Sequence, residues 1–490
     1  MTPKPEGGEP AFRDRPRPLA RPASSPSILR MAAPLILSFW MRSLFTFVDT
    51  IYAATLGDEA VAAIGLSIPF EFLMIAFWVG VSTGLTSNLS RAMGAREGER
   101  IEQLLAVTRR IVWCLVPAFF ALGVGVYFWA PHSHLPEHLA SLFGLYVGVL
   151  VSGSALSSFW SIIPDSIVKA HHDTRSTMWA GIWSNMINVG LNTLFLFVFH
   201  WGIFGIAFST VVGRLGGLIY ALRKAAGHEA SRKASGLDTS PALDPAPLRS
   251  MLTLAVPSAL TFALMAVEST LVNWLLAKHP DSTAAIAAYG IYYRVLLFAL
   301  MPIMAAAVAV LPYVARRFGE GDVASIRAGL RQVSLAAVAY CLFLVAPALV
   351  FGGPHVARFL AHAAATEAQT RVALLICPLA CLASIPFLLC RPAFEGLQRG
   401  RPGLVMAVLR YVVLTVPCAF AGMNAARRFG LEPLYGLLLG LVGASGIGSY
   451  VFLIWMRRAL RDLAVLRLPA GAGGPPEILP AREPGPAPAP

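Results

Sequence analysis

The sequence predicts an all-α polytopic membrane protein, with about twelve transmembrane helices in two pseudo-symmetric six-helix lobes. Of its 490 residues, 56% are hydrophobic and only 13% are charged, whereas soluble chains carry about 25% charged residues. Apolar runs of membrane-spanning length recur along nearly the whole chain, which favours a helix bundle over the shorter alternating segments of a barrel. Short motifs repeat between the two halves, which indicates that both follow one six-helix plan.

The first half begins with a segment, 1–27, that is rich in Pro and Arg and lacks an apolar core. We therefore expect a disordered cytoplasmic arm and not a cleaved signal peptide. Six apolar runs follow within an N-lobe, 28–223. The polar stretch 224–248 contains Ser, Pro, Asp and Lys and is predicted to be a cytoplasmic linker. The predicted spans of the N-lobe are 28–54, 60–88, 111–130, 139–163, 178–199 and 203–222.

The second half repeats this arrangement in a C-lobe, 249–462. The tail, 463–490, is rich in Pro, Gly and Ala and is predicted to be disordered and cytoplasmic. The predicted spans of the C-lobe are 250–277, 284–313, 333–352, 372–390, 403–423 and 433–456.

The distribution of Lys and Arg among the predicted loops sets the orientation. With the N-terminus inside, the outside segments hold five basic residues and the other loop arginines and lysines fall inside. This asymmetry satisfies the positive-inside rule, so we expect a multi-pass protein of the cytoplasmic (inner) membrane with both termini cytoplasmic. It also accounts for the net charge of +13 without a nucleic-acid partner. The five outside residues are Lys278, Arg358, Arg371, Arg427 and Arg428.

Two pairs of motifs recur at a constant spacing in the two halves. Ala62-Ala-Ile-Gly65 resembles Ala287-Ala-Tyr-Gly290, and Arg91-Ala-Met-Gly94 resembles Arg316-Arg-Phe-Gly319. Because each half has an even number of spans, both halves enter the membrane from the same side. This predicts a pseudo-two-fold axis along the membrane normal, with a site at depth between or within the lobes.

Two charged residues lie inside the first predicted span. Arg42 and Asp49 are seven residues apart, so on a helix they share a face with about 10 Å of rise between them. A bare charge at the bilayer centre costs roughly 2.5–3.5 kcal/mol, and such side chains normally point into a protein interior or a wet cavity. We expect this helix to line a transport pathway. The alternative is an internal Arg–Asp pair that only locks helices together.

Other charged residues in predicted spans are candidates of the same kind. Glu71 in the second span and Glu268 in the seventh are candidate carboxylates of an ion path, and Arg294 in the eighth is a candidate cavity residue. The alternative for Arg294 is a structural pairing with Glu268 or Glu71. Arg214 and Arg410 lie nearer to predicted helix ends, where long basic side chains can snorkel to the interface.

Several motifs together resemble the multidrug and toxic compound extrusion (MATE) family. Phe47-Val-Asp49-Thr50 and Gly57-Asp-Glu-Ala-Val-Ala-Ala-Ile-Gly65 are similar to its opening, and Asp173-Thr-Arg-Ser-Thr177 and Gly202-Ile-Phe-Gly-Ile-Ala-Phe-Ser-Thr210 to its fifth and sixth helices. The resemblance covers residues 28–460. It implies a twelve-helix antiporter of the MATE/polysaccharide-flippase superfamily, which exports organic or xenobiotic compounds by alternating access against inward H⁺ or Na⁺.

The resemblance also implies roles for individual residues. Asp49 falls on the family's protonation and ion site, and Asn188, Asn192 and Thr210 fall in its N-lobe polar cluster. One branch of the family has Asp where Asn192 stands, and this difference favours H⁺ over Na⁺ because hard cations prefer carboxylates. Arg42 falls where a Gln is common, and a fixed cation on the cavity face should repel cationic compounds.

Two other functions compete with a MATE-type exporter. A flippase of the same superfamily, moving a lipid-linked or anionic substrate, is motivated by Arg42, Arg214, Arg294 and Arg410. A membrane-embedded enzyme is disfavoured, because the sequence shows no Ser/Lys/His constellation on facing helices and no metal spacing. The expected partners are small organic substrates and membrane lipid, and the expected state is a monomer without a cofactor.

Overall fold

The computed structural model of the chain describes residues 27–133, 135–236, 238, 240–277, 282–361 and 363–465. Almost all of the predicted arm, 1–27, and of the predicted tail, 463–490, lies outside these ranges. Within the helices, the side chains that lie outside the description are those at 42–51, 54, 58, 266, 269, 270, 273, 277, 282, 283, 464 and 465.

The described residues form twelve long helices and no β-strand. Eleven helices contain a described stretch that is long and apolar enough to cross a membrane, and the described apolar part of the first is shorter. This confirms the predicted all-α multi-pass fold. The helices of the first half are α1 (Ile28–Ala54), α2 (Asp58–Ala95), α3 (Gly98–Trp129), α4 (Glu137–Ala170), α5 (Thr174–Val198) and α6 (Gly202–Ala234). Those of the second half are α7 (Pro247–Ala277), α8 (Ser282–Gly319), α9 (Val323–Leu360), α10 (Ala364–Gly396), α11 (Arg401–Arg428) and α12 (Pro433–Val465).

Aspartate side chains begin two of these helices. Asp173 caps α5 by accepting a hydrogen bond from the backbone N–H of Ser176 at 3.0 Å, and Asp322 caps α9 in the same way with Ser325 at 2.9 Å. Each bond satisfies an N–H group that has no partner inside the first helical turn. Partial burial alone would raise the pKa of Asp173, but hydrogen bonds from Ser176 and His228 hold that pKa below its ordinary value.

Left-handed backbone residues end helices at equivalent positions of the two halves. Arg96 (φ 60°) follows α2 as Gly321 (φ 75°) follows α8, and His172 (φ 61°) follows α4 as Gln398 (φ 61°) follows α10. A residue in this conformation stops the helix and turns the chain. The spacing within these pairs agrees, to within one residue, with the spacing of the repeated motifs in the sequence. The repeat therefore extends to the backbone conformation of the turns.

The same helix pairs pack together in both lobes. In the first lobe, α4 packs against α2, α3 and α6, and α5 packs against α1 and α6. In the second, α10 packs against α8, α9 and α12, and α11 packs against α7 and α12. Between the lobes, α2 contacts α7 and α8, and α1 contacts α8. Every pair has its counterpart six helices away, which confirms two pseudo-symmetric six-helix lobes.

Helices α2 and α8 cross in backbone contact near their C-terminal ends. A Cβ atom on Gly94 would overlap the carbonyl oxygen of Arg316, and one on Gly319 would overlap the carbonyl oxygen of Arg91. Glycine is required at both positions because neither backbone leaves room for a side chain. The two contacts are reciprocal, as expected beside a two-fold axis, and they hold the lobes together at this end of the molecule.

Polar contacts join the lobes at the same end. The Ser87 hydroxyl of α2 donates to the carbonyl oxygen of Glu395 in α10 at 2.7 Å. The side-chain amide of Gln398 donates to the Ser87 hydroxyl at 2.8 Å. The turn after α10 is thereby fixed to α2.

His172, in the turn after α4, makes another contact across the lobes. Its Nε2 atom lies 3.4 Å from the carbonyl oxygen of Pro312 in α8. Burial lowers the pKa of His172 to about 4, and the nearby charge of Arg316 acts in the same direction. The imidazole is therefore neutral at pH 7, as suits its place beside an arginine-rich helix end.

The predicted linker, 224–248, is helical as far as Ala234 because α6 continues into it. Arg232 anchors this extension to the first lobe. Its guanidinium pairs with Glu229 at 2.7 Å and with Glu102 of α3 at 3.2 Å.

The outer face of α9 is strongly apolar. Phe343, Phe351 and Phe359 are 81%, 77% and 83% exposed. Large apolar side chains so far out of the core are stable where hydrocarbon covers them, as in a bilayer.

Candidate functional site

The first predicted site lies on α1. Arg42 and Asp49 belong to this unbroken helix, so their seven-residue spacing places them on one helix face. Their side chains lie outside the described part of the structure. Tyr52, about one turn beyond Asp49, is described, and its hydroxyl lies 2.6 Å from the Thr193 hydroxyl of α5. The last turns of α1 therefore pack against α5.

Asn188 and Asn192 of α5 meet Ser209 and Thr210 of α6 in a polar group that we call the amide cluster. The side-chain amide of Asn188 donates to the Thr210 hydroxyl at 3.0 Å, and that of Asn192 donates to Asn188 Oδ1 at 3.4 Å. The Ser209 hydroxyl donates to Asn192 Oδ1 at 2.5 Å. Asn192 and Ser209 are completely buried. The structure thus brings together the three predicted N-lobe residues.

Ser209 is a member of the amide cluster that sequence reasoning missed. A serine in an apolar helix carries no distinguishing pattern, and its hydroxyl commonly bonds a carbonyl of the preceding turn, as Ser209 also does with Ile206 at 2.8 Å. The four side chains of the cluster are neutral amides and hydroxyls. They can donate to and accept from a polar ligand, but they carry no charge of their own.

The expectation that Arg214 and Arg410 snorkel to helix ends is wrong. The Arg214 guanidinium donates to the hydroxyl of Ser154 in α4 at 2.5 Å, inside the first lobe. The guanidinium carbon of Arg410 lies 4.7 Å from the ring centre of Phe387 and 4.9 Å from that of Tyr411. Hydrogen-bond and aromatic partners inside each lobe hold these side chains away from the interface.

A π-helical turn interrupts α11 at Leu409–Leu414. Such a turn inserts one extra residue, so it rotates the following side chains, and it often marks a functional site. The Thr415 hydroxyl lies 3.1 Å from the Glu268 carboxylate of α7 and 2.8 Å from the carbonyl oxygen of Arg410. The turn thereby brings Arg410 and Thr415 to Glu268.

Glu268 faces several polar groups of the second lobe. Arg410, Tyr289 and Tyr293 all interact electrostatically with its carboxylate. In the described part of the chain, no basic group lies within 4.0 Å of that carboxylate. We call Glu268, Arg410, Thr415 and the two tyrosines the C-lobe charge site.

Glu71 and Arg294 are not part of either group of side chains. Glu71 is half-buried on α2 and Arg294 is exposed on α8. Neither forms an ion pair with a described residue. The structural pairing of Arg294 with Glu268 or Glu71, one of its two interpretations, is therefore not observed among the described side chains.

Neither a metal site nor the apolar cavity of the first lobe adds to these two groups of side chains in the described part of the chain. No group of three or more His, Cys, Asp and Glu side chains in the described ranges is placed to hold a metal ion. An apolar cavity of about 390 Å³ lies at the opposite end of the first lobe from the glycine crossing, by which we mean the contact of α2 and α8 at Gly94 and Gly319. The cavity is lined by Leu66, Phe70, Trp129, Ser133, Leu135 and Phe143. It contains none of the predicted site residues.

The sequence profile of the MatE family matches the chain at residues 34–194 and 257–421. These stretches make up more than half of the sequence, with one in each lobe. The chain belongs to the MatE family. It is therefore a membrane transporter of the MATE type and not an enzyme, and the resemblance found in the sequence is confirmed.

Two relatives of this MATE protein match over most of its length. The FAD transporter of Shewanella oneidensis is 23% identical over 436 residues, which are 84% of this chain and 92% of the relative. The multidrug export protein MepA of Staphylococcus saprophyticus is 23% identical over 434 residues, 86% of this chain and 90% of the relative. Relatives of this kind support efflux as the general activity.

Solved structures share the fold of this MATE protein. A multidrug resistance MATE family transporter in an outward-facing conformation superposes with a TM-score of 0.79 and 20% identity, over 89% of this chain and 96% of that one. A MOP superfamily transporter from Pyrococcus furiosus gives a TM-score of 0.78 at 20% identity, with the same coverage of both chains. The arrangement of twelve helices in two lobes is therefore the one known from MATE transporters.

Proposed function

We propose that this protein is a secondary active antiporter that exports small organic compounds across the cytoplasmic (inner) membrane, driven by inward H⁺. The supporting observation is a set of contacts that join the two lobes at one end of the molecule. The glycine crossing of α2 and α8, the Ser87 contacts and the His172 contact all lie at the arginine-rich helix ends. By the positive-inside rule these ends, and both termini, face the cytoplasm. Lobes that close at one end are what alternating access requires.

Asp49 is the proposed proton-linked carboxylate, with Glu268 and Glu71 as the next acids. The helix that carries Asp49 packs against α5 beside the amide cluster, because Tyr52 and Thr193 are in contact. The described members of that cluster are neutral, so a charge for coupling has to come from outside it. Amides in place of carboxylates favour H⁺ over Na⁺ as the coupling ion.

The substrates are proposed to be small organic compounds. The transporter is proposed to act without a cofactor, as a monomer surrounded by lipid. Arg42 on α1 and Arg294 on α8 are the proposed cations of the cavity, beside the hydrogen-bonding groups of Asn188, Asn192 and Thr210. Arg294 is exposed and unpaired among the described residues, which suits contact with a substrate. The relatives are described as an FAD transporter and a multidrug export protein, and these names support small organic compounds as the class of cargo.

Everted membrane vesicles with an acidic interior test this proposal. Vesicles containing the transporter should accumulate a fluorescent organic compound, a protonophore should release it, and an imposed Na⁺ gradient alone should not drive uptake. Accumulation that survives collapse of the pH gradient and follows a Na⁺ gradient would overturn H⁺ coupling. Vesicles without the transporter are the control for passive uptake.

A flippase for a lipid-linked or anionic substrate is the second candidate. The observation that favours it is the set of arginines within the spans, of which Arg214, Arg294 and Arg410 are described. In liposomes with a labelled anionic lipid, a flippase would move the label between leaflets, whereas an exporter of free compounds would not.

A further inference from the structure

A basic and aromatic surface lies on the outer face of α3, a helix that contributes to neither candidate site. Arg109, Arg110 and Trp113 are exposed on it, and Trp113 is 65% exposed. Thr108 and Val112, which come just before them in the chain, are buried. Because residues three and four apart share a helix face, Trp113 stands one turn beyond both arginines on the side of α3 that points out of the molecule.

Trp160 of α4 extends this surface to a second helix. The rings of Trp113 and Trp160 meet edge to face, with ring centres 5.5 Å apart and ring planes at 90°. Aromatic pairs prefer this geometry, and it holds Trp113 at a fixed place beside the arginines. We call Arg109, Arg110, Trp113 and Trp160 the Arg–Trp surface.

The Arg–Trp surface lies where the apolar run of α3 begins. Residues 111–130 contain no Asp, Glu, Lys or Arg. A helical run of this length is about 30 Å long, which is the thickness of the hydrocarbon core of a bilayer. Arg109 and Arg110 immediately precede the run, so they fall at the level of the phospholipid headgroups. Tryptophan is enriched at this level, and the positive-inside rule assigns it to the cytoplasmic leaflet.

The two positive charges of this surface have no acidic partner in the protein. Neither guanidinium lies within 4.0 Å of a carboxylate in the part of the chain that the structure describes. The acids nearest in sequence on α3 and α4 are already paired, Glu102 with Lys233 at 2.9 Å and Asp165 with Lys169 at 2.6 Å. The surface therefore presents uncompensated positive charge at the depth of the headgroups.

The internal repeat shows that the fold does not require these side chains. At the spacing of the repeated motifs, the positions of α9 that correspond to the two arginines and Trp113 are Ser334, Leu335 and Val338. Leu335 is 59% exposed, so this turn of α9 faces outwards as the turn of α3 does. The same outward-facing turn thus exists in the second lobe without the arginine pair and the tryptophan.

We propose that the Arg–Trp surface binds the headgroup of an anionic phospholipid in the cytoplasmic leaflet. The two guanidinium groups donate to the phosphate oxygens, because a planar guanidinium matches a phosphate with two parallel hydrogen bonds. The tryptophan rings pack against the glycerol and the upper part of the acyl chains. Uncompensated positive charge favours an anionic lipid over a zwitterionic one. The inference concerns the membrane contact and does not depend on the transported compound or the coupling ion.

A lipid, and not free phosphate, is the occupant because of the rings. They lie at the edge of the hydrocarbon core, where an acyl chain covers them and a free anion does not. The exposed ring of Trp113 also provides a reporter for the lipid beside it.

Quenching of tryptophan fluorescence by brominated lipids tests the proposal on the full-length protein in liposomes. The liposomes contain equal amounts of phosphatidylglycerol, which is anionic, and phosphatidylcholine, which has no net charge, with bromine in the acyl chains of one lipid or the other. Bromine quenches only nearby rings, so the difference between the wild type and Trp113→Phe reports the lipid beside Trp113. This signal should show a preference for phosphatidylglycerol of about tenfold or more, because each basic residue near anionic lipid contributes about a factor of five in affinity.

The arginine pair is tested in the same way. Arg109→Gln/Arg110→Gln, measured with and without Trp113→Phe, should lose the preference. The matched control is Arg327→Gln/Arg331→Gln, which removes two exposed arginines near the start of α9 and should keep it. Thermal unfolding shows which variants fold, and either single arginine variant, with part of the preference lost, serves if the double variant does not.

Three results would overturn the inference. Equal quenching by the two lipids in the wild type would mean that no headgroup is preferred beside Trp113. An unchanged preference in the α3 variant would mean that the arginine pair does not bind the headgroup. An equal loss in the α9 control would mean that the preference reflects the overall charge of the protein and not this surface.

Discussion

Gly94 and Gly319 occupy equivalent positions in the two lobes, and each lies against the backbone of the other's helix. Because the contact is reciprocal, a single carbon atom added to either residue meets a carbonyl group that belongs to a long helix. The closure of the lobes at their arginine-rich ends therefore depends on two residues without side chains.

The first prediction concerns this crossing. Gly319→Ala should destabilise the closed arrangement by about 1–3 kcal/mol, the usual cost of overpacking a close contact. Gly290→Ala on the same helix is the matched control, because nothing lies within 4 Å of its Cβ position and alanine favours a helix. Thermal unfolding in detergent measures both variants. Equal stability of Gly319→Ala and Gly290→Ala would show that the crossing does not hold the lobes together.

The helices could be predicted from the sequence because membrane spans are recognisable as long apolar runs. Their ends could not, since a helix continues past the apolar run wherever polar partners hold it. The predicted span 203–222 is part of a helix that reaches Ala234, where Arg232 pairs with Glu229 and Glu102. The predicted span 372–390 likewise lies within a longer helix, Ala364–Gly396.

The second prediction concerns pH and the contact between the lobes. Burial, with Arg316 nearby, lowers the pKa of His172 from 6.5 to about 4. Below pH 6.5 the unfolded chain therefore binds a proton that the folded chain does not bind until about pH 4. The contribution of His172 thus lowers the free energy of unfolding as the pH falls from 6.5 to about 4. His172→Asn cannot titrate and tolerates the left-handed backbone. Its melting temperature should fall less than that of the wild type over this interval.

His132→Asn provides the control for His172, because His132 is exposed at the opposite end of the first lobe. Its melting temperature should follow the wild-type curve at every pH. Parallel curves for His172→Asn and the wild type would mean that His172 does not report on the closed interface.

A third prediction tests the ion preference of the amide cluster. Asn192→Asp places a carboxylate between the Ser209 hydroxyl and the Asn188 amide, which provides a hard oxygen ligand for Na⁺. NaCl should raise the melting temperature of this variant more than KCl does, whereas the wild type should respond equally to both salts. Asn192→Ala is the control; it should cost about 1–3 kcal/mol of stability, because the buried cluster loses the hydrogen bond from the Asn192 amide to Asn188 Oδ1, and show no preference for Na⁺. A Na⁺ response of the wild type would contradict the assignment of H⁺.

The fourth prediction concerns charge selectivity at Arg42. A unit charge at ~10 Å, with an effective dielectric near 20, is worth roughly 1.7 kcal/mol. This is more than a factor of ten in affinity. Arg42→Gln should therefore raise transport of cationic dyes and lower that of anionic ones in the vesicle assay. If the wild type already exports cations well and the variant changes neither class, Arg42 has a structural role.

The two candidate sites differ in how far they could be predicted. Asn188, Asn192 and Thr210 lie on regular helical turns. The polar cluster that the family resemblance predicts is therefore found as contacts within α5 and between α5 and α6. Arg410 could not be placed, because the π-helical turn around it changes the rotation that a 3.6-residue period assumes. Arg294 could not be placed either, since a hydropathy pattern does not say which side of α8 faces the other helices.

Asp49→Asn tests most directly whether a carboxylate on α1 couples proton entry to export. The variant, the wild type and Glu99→Gln, whose carboxylate is exposed at the start of α3, would be purified, checked for equal melting temperature and reconstituted into liposomes. With an imposed pH gradient, the wild type and Glu99→Gln should transport a fluorescent substrate and admit protons together, and Asp49→Asn should do neither. Normal proton-coupled transport by a well-folded Asp49→Asn protein would rule out Asp49 as the coupling carboxylate.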